Sequence, residues 1–93
     1  MIKNFNCKET EKIWGGVVSL KLPHDIQQTA RRKLRMVNNA KVLEDLQIPP
    51  NNQLEALQGN RKEQHSIRIN KQWRICFVWL EGIVEKVEIV DYH

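Results

Sequence analysis

The feature that most constrains this chain is a change in the spacing of its apolar residues near position 53. Before it, Ile26, Ala30, Leu34 and Val37 recur at intervals of four, four and three, which is the period of an amphipathic helix. After it, apolar residues alternate with polar ones, which is typical of half-buried strands. The alternating positions are Ile67, Ile69, Trp73, Ile75, Phe77, Trp79, Val87 and Ile89. The order predicts an α+β fold, with N-terminal helices packed on one face of an antiparallel-dominated sheet.

Shorter elements are predicted around this frame. We expect residues 2–6 to form a short edge strand, residues 9–14 a short helix, and residues 42–46 a second one. Pro49 and Pro50 then impose a loop. Because 93 residues supply material for one core only, we expect a single domain over residues 1–93.

Charge and composition narrow the function without identifying it. Fifteen Lys and Arg against eleven Asp and Glu give a net charge of +4, which favours a polyanionic partner. Cys7 and Cys76 lack metal-ligand spacing, so we expect two reduced thiols, no metal and no cofactor. The chain has no signal-peptide core and no apolar run approaching the roughly 20 residues of a membrane span. We therefore expect a cytoplasmic protein with no membrane association.

Strand alternation brings two arginines together. A three-residue turn at positions 70–72 would place Arg68 directly opposite Arg74, on the face away from the helices. Like charges in that position are destabilising. Either an anion is held between the two guanidinium groups, or both extend into water at little cost, and the sequence leaves both interpretations open.

The last strand adds an aromatic residue to the same face. A two-residue turn at Glu81 and Gly82 would mix the apolar and polar faces. We therefore expect an odd-length loop that pairs Phe77 with Val87 and Ile75 with Ile89. In that register Tyr92 shares the open face with the two arginines. Alternation does not fix the direction of the residues on either side of it, at positions 91 and 93.

These residue types suit the cleavage of RNA by its own 2′-hydroxyl. That reaction needs a base, positive charge on the phosphate and an acid for the leaving oxygen. The candidates for proton transfer are Glu55, Asp91, Tyr92 and His93, and those for the phosphate are Arg61, Arg68 and Arg74. A C-terminal Asp-Tyr-His is also what a loose tail would look like. The basic helix side with Arg31, Arg32, Lys33 and Arg35 is either a solvated face or a contact for an acidic partner or ribosomal RNA.

Four ordered segments resemble the HigB-type toxins of the RelE/ParE superfamily. They are residues 54–61 (LEALQGNR), 65–68 (HSIR), 73–77 (WRICF) and 91–93 (DYH). The resemblance runs essentially end to end, and it implies a RelE-like fold and ribosome-dependent cleavage of messenger RNA. It also implies a HigA-like helix-turn-helix antitoxin as partner, through which alone operator DNA would be bound.

The resemblance carries roles onto some positions and departs at others. It makes Arg74 the phosphate-stabilising arginine and assigns catalysis and substrate positioning to Asp91, Tyr92 and His93. Glu55 stands where some relatives have a histidine, and the candidates for substrate binding are Arg61, Arg68, Lys71 and Gln58, the last in place of a lysine. Either Glu55 has replaced the histidine as base, or His93 performs most of the proton transfer, or the enzyme is slow. We favour the second interpretation.

Two other functions remain compatible with the sequence. The chain could be a catalytically weak or inactive module that binds antitoxin or ribosome and acts sterically, since positions 55 and 58 are replaced. A DNA-binding regulator using the helix of residues 25–38 is less favoured, because no second helix follows at a tight turn.

Overall fold

Two helices form one layer of the molecule. The structure is a computed structural model that describes residues 1–92, in which α1 spans Lys8–Trp14 and α2 spans His24–Asn39. α2 begins directly after Pro23, and its first turn carries Asp25, where a negative charge complements the helix dipole. The apolar stripe predicted for this helix is buried in the core, which confirms the 3.6-residue period. Within residues 1–92, neither helix is long and apolar enough to cross a membrane.

Short 3₁₀ helices connect α2 to the sheet and interrupt its first strands. They span Leu43–Gln47, Pro50–Asn52 and Gly59–Arg61. The first of them confirms the short helix expected at residues 42–46. The second is followed by Gln53, which has a left-handed backbone conformation with φ of 46°. That conformation is uncommon for a residue other than glycine, so the turn is held by its surroundings.

Four antiparallel strands form the second layer, in the order β1-β2-β3-β4. The strands are β1 (Glu55–Ala56), β2 (Gln64–Arg68), β3 (Trp73–Leu80) and β4 (Ile83–Asp91). The N-terminal segment adds two parallel bridges along β4, Ile2 to Val84 and Phe5 to Val87. The α+β fold with helices on one face of an antiparallel-dominated sheet is therefore confirmed.

The β3–β4 connection differs from the prediction. The turn has two residues, Glu81 and Gly82, both at positive φ, as in the type I′ turns that match strand twist. The extra residue that was expected in the loop lies instead inside β4, at a β-bulge where Lys86 has φ of 56°. The bulge restores the predicted pairing of Ile75 with Ile89. The predicted odd-length loop is wrong, and the bulge interrupts the predicted pairing of Phe77 with Val87.

The core fixes the register of β2 against β3. Ile67 and Ile75 are opposite each other and fully buried, together with Phe77 and Leu34. Burial of each such side chain contributes about 1.5–3 kcal/mol. A slip by one residue would turn this apolar set to the other face, so the pairing is strongly specified.

Lys33 corrects the prediction of a solvated basic face on α2. Arg31, Arg32 and Arg35 are exposed, but Lys33 is only 5% exposed. It lies between Ala30 and Val37 at helical spacing, inside the apolar stripe. Its ammonium donates a hydrogen bond to Asn52 Oδ1, and burial, with smaller effects of Arg32 and Arg68, lowers the pKa of Lys33.

Candidate functional site

The predicted pairing of Arg68 with Arg74 is present. β2 and β3 place the two residues directly opposite each other across the turn. Asn70 closes this turn, because its side-chain oxygen accepts the backbone N–H groups of Gln72 and Trp73, both at 2.8 Å. Such Asx turns are a local alternative to backbone pairing. The turn therefore holds both arginines at the same end of the sheet.

Arg74 does not extend from an open face, as the sequence suggested, but is only 6% exposed. Its Nε donates to Ser66 Oγ at 2.8 Å, and its Nη2 donates to the carbonyls of Ser66, at 3.3 Å, and Gln53. These bonds satisfy a buried charge and fix the plane of the guanidinium group. Arg74 is thus a preoriented cation.

Two of the predicted catalytic residues contact Arg74. Glu55 Oε1 lies 3.3 Å from Arg74 Nη2, and the Glu55 side chain is 49% exposed. The Arg74 guanidinium carbon lies 5.6 Å from the centre of the Tyr92 ring, within cation–π range. A carboxylate, a fixed guanidinium and a phenol therefore meet at one point of the sheet.

Beside this cluster is an open pocket of about 240 Å³. It is lined by Gln53, Arg68, Asn70, Lys71, Arg74 and Tyr92. Arg68 is held at its edge by a hydrogen bond from Nε to the Asn70 carbonyl, at 3.0 Å. The lining brings three cationic side chains to one cavity, an arrangement that suits a polyanion.

Arg61 is engaged by other side chains on the same face of the sheet. Its Nη1 donates to Glu88 at 2.9 Å and to Gln64 at 3.0 Å, and the Glu88 hydrogen bond raises the pKa of Arg61. Glu88 pairs with Cys76, two positions along β3 from Arg74. Arg61 therefore flanks the pocket rather than lining it.

The remaining predicted site residues differ in placement. Asp91 ends β4 opposite Trp73, and its carboxylate accepts a hydrogen bond from Gln72 at 3.0 Å. Gln58 is exposed just before the 3₁₀ helix Gly59–Arg61 and does not line the pocket that contains Arg74. His93 lies outside the described residues.

Three contributors to the site were missed by sequence reasoning. Ser66 and Glu88 both follow from alternation, since they share the face of Arg74. Gln53 contributes a backbone carbonyl, and a carbonyl's direction in an aperiodic loop carries no sequence signal.

Cys7 and Cys76 are free cysteines that form no disulfide with each other. Cys76 lies on the same face of the sheet as Arg74 but is fully buried, and burial raises the pKa of its thiol. A neutral, buried thiol is unreactive. Across residues 1–92, no cluster of three or more His, Cys, Asp or Glu side chains could hold a metal ion.

Comparison with known proteins places the chain in a family. Residues 4–93 match the HigB-like toxin family, described as RelE-like toxin of type II toxin-antitoxin system HigB. Toxin HigB-1 of Vibrio cholerae serotype O1 is 44% identical over 62 residues, which are 67% of this chain and 65% of that protein. An uncharacterized protein of Haemophilus influenzae is 37% identical over 57 residues, which are 61% and 56% of the two chains. The matched stretches thus span less than two thirds of these relatives' own length.

A solved structure shows the same fold. YafQ from E. coli strain BL21(DE3) superposes with a TM-score of 0.60 at 12% sequence identity, over 98% of this chain and 91% of that one. At this identity the likeness concerns the fold alone.

Proposed function

Because the chain belongs to the HigB-like family of RelE-like toxins of type II toxin–antitoxin systems, we propose that it is an endoribonuclease that cleaves messenger RNA on the ribosome. The observation that carries the proposal is the buried, tethered Arg74, which lines the pocket and lies 3.3 Å from the carboxylate of Glu55. A fixed cation beside a proton acceptor is what attack of a 2′-hydroxyl on its own phosphate requires.

Arg74 is the proposed phosphate ligand. Its Nε and Nη2 are bonded to the protein, so the guanidinium needs no reorganisation when charge develops on the phosphate. Arg68 and Lys71 line the same pocket and are proposed to guide the neighbouring phosphates into it. Arg61 and Gln58 are proposed to contact the message further along the same strand of RNA.

Glu55 is the proposed base. Its carboxylate takes the 2′-hydroxyl proton, the 2′-oxygen forms a bond to phosphorus, and the bond from phosphorus to the 5′-oxygen breaks. The products are a 2′,3′-cyclic phosphate and a 5′-hydroxyl. His93 is proposed, on the family resemblance, to donate the proton to the leaving 5′-oxygen. The ion pair of Glu55 with Arg74 supports Glu55 as the base, because it holds the carboxylate beside the proposed phosphate ligand.

Tyr92 is the proposed contact for a base of the message. It already stacks near Arg74, and an aromatic ring can stack on any nucleobase, with a contribution of about 1–3 kcal/mol. Asp91 is proposed to hold this end of β4 in place through its hydrogen bond with Gln72.

HigB-family toxins partner with antitoxins. For this chain we propose a HigA-like helix-turn-helix antitoxin, with operator DNA bound only through it, and action in the cytoplasm. The exposed arginines of α2, Arg31, Arg32 and Arg35, are proposed as a contact for an acidic antitoxin segment or for ribosomal RNA.

A second candidate function is a steric block of translation without cleavage. It is favoured by one observation, that Arg74 is already neutralised by Glu55 and bonded to the protein at Nε and Nη2. In that case growth inhibition would persist unchanged in both the Arg74→Ala and the His93→Ala variants.

The test of cleavage uses the purified chain and translating ribosomes loaded with a defined message. We expect cut message with 5′-hydroxyl ends when ribosomes are present, and none after Arg74→Ala. Message that stays intact while the chain binds the ribosomes would reject cleavage and leave the steric function.

A further inference from the structure

We propose that Lys33 is a positioning residue for Arg74, which it holds in place through Asn52 and the carbonyl of Gln53. This inference rests on the proposed function, because it assigns a role in the same site. It concerns a helix residue on the opposite side of the sheet from the pocket, which neither its sequence position nor its side-chain type would assign to the site.

The first link joins α2 to the loop. The ammonium of Lys33 donates to Asn52 Oδ1, and Asn52 is fully buried. The Asn52 amide in turn donates to the carbonyls of Leu46, at 3.2 Å, and Ile48, at 3.4 Å. The side chain of Asn52 therefore has partners on both its oxygen and its nitrogen, which fixes its orientation.

The second link joins the loop to the site. The residue after Asn52 is Gln53, whose left-handed backbone is closed by a hydrogen bond from its N–H to the Pro50 carbonyl at 3.0 Å. This conformation directs the Gln53 carbonyl at Arg74 Nη2. The loop thus connects the helix layer to the opposite face of the sheet within two residues.

The chemistry of the Lys33 side chain favours a role in positioning Arg74 over a role in core packing alone. An apolar side chain there would complete the stripe of Ala30, Leu34 and Val37 without desolvating an ammonium group. What the ammonium adds is a directed hydrogen bond to one atom of the loop. Because that atom is one residue from the carbonyl that holds Arg74, loss of the bond loosens the guanidinium plane without removing the cation.

The test compares Lys33→Met with Val37→Ala, a core variant of the same helix, in concentrations of urea that give both the same folded fraction. In multiple-turnover cleavage on ribosomes we expect Lys33→Met to lower kcat by about 10-fold with KM within about twofold, because misoriented groups lower the rate more than the binding. Val37→Ala leaves both constants unchanged.

A second readout does not need nuclease activity. In the ¹⁵N-labelled full chain, we expect the Nε–H of Arg74 to exchange slowly with solvent, because it is buried and donates to Ser66 Oγ. We expect its exchange to accelerate by about 10-fold in Lys33→Met and to stay unchanged in Val37→Ala. This result would support the tether even if the chain cleaved no message, so failure of the proposed function is distinguishable from failure of this inference.

Asn52→Leu removes the hydrogen-bond acceptor of Lys33 while keeping the size of the side chain, and it must produce the same changes. It carries the test if Lys33→Met does not fold. The inference is overturned if the position 33 and 52 variants lose stability but match Val37→Ala in kcat and in Arg74 exchange, because Lys33 is then a structural residue only.

Discussion

Glu55 is the most informative residue to substitute, because its carboxylate has two opposite effects in the proposed mechanism: it accepts a proton and it repels the phosphate. Glu55→Gln preserves the size of the side chain but removes both the proton acceptor and the negative charge beside Arg74. Loss of a general base costs about 10²–10⁴-fold in rate. Loss of the charge relieves repulsion of the incoming phosphate.

The repulsion can be estimated from the geometry. Oε1 lies 3.3 Å from Arg74 Nη2, and a phosphate bound by the same guanidinium would lie about 5 Å from the carboxylate. Because Glu55 is half-exposed, an effective dielectric constant of about 40–80 applies, which gives about 1–2 kcal/mol. We therefore expect RNA to bind about 5–20-fold more tightly to Glu55→Gln.

The assay separates the two effects. Binding is measured with a message whose 2′-hydroxyl is replaced by hydrogen at the cleavage site, and cleavage is measured in single turnover with the unmodified message. We expect tighter binding together with a kcat lower by at least about 100-fold. The matched control is Glu85→Gln, which makes the same charge change at a surface pair with Lys3 at 3.6 Å.

Two results would refute this reasoning in different ways. If binding tightens while kcat is unchanged or rises, Glu55 competes with the phosphate and is not the base. If neither quantity differs from the Glu85→Gln control, Glu55 takes no part in the site.

Three further predictions concern the cations. Arg74→Lys is expected to retain less than about 1% of kcat, because a lysine cannot make the hydrogen bonds to Ser66 and Gln53 and the phosphate contact at the same time. Near-normal cleavage rates in this variant would contradict a preoriented guanidinium. Lys71→Ala is expected to reduce the slope of log affinity against log salt by about 0.7 for single-stranded RNA, with no change in slope if Lys71 makes no phosphate contact. Burial lowers the pKa of Lys33 in the folded state, so between that pKa and the ordinary lysine value the unfolded chain binds more protons than the folded chain. In this alkaline range the free energy of unfolding of the wild type, measured relative to Lys33→Met, should therefore rise with pH. A difference that does not change with pH would contradict the burial of the Lys33 charge.

The pairing at the centre of the site could be predicted from the sequence. Ile67 and Ile75 must face the helices together, and with a three-residue turn at positions 70–72 this requirement places Arg68 opposite Arg74. The position of the extra residue between β3 and β4, in the loop or in a bulge, could not be predicted in the same way. A bulge at Lys86 and an odd loop produce the same alternation, and Lys86 is not a residue type that signals positive φ.

The burial of Arg74 and Lys33 was not predictable for a related reason. Lys33 is hydrogen-bonded to Asn52 and Arg74 to Gln53, and both partners belong to a segment without periodicity whose path depends on tertiary contacts. Local patterns describe which face a residue is on, whereas a loop that crosses from one face to the other changes which residues are exposed. The surrounding apolar stripe at position 33 was visible in the sequence, but a lysine within it was assigned to the basic side of the helix.

The most direct test of the proposed nuclease activity is a map of transcript 5′ ends in cells after induction of the chain, compared with the Arg74→Ala and His93→Ala variants. The proposed mechanism predicts new 5′-hydroxyl ends within translated regions for the wild type, and their loss in both variants. Growth arrest without new ends, or the same ends in the Arg74→Ala variant, would contradict it.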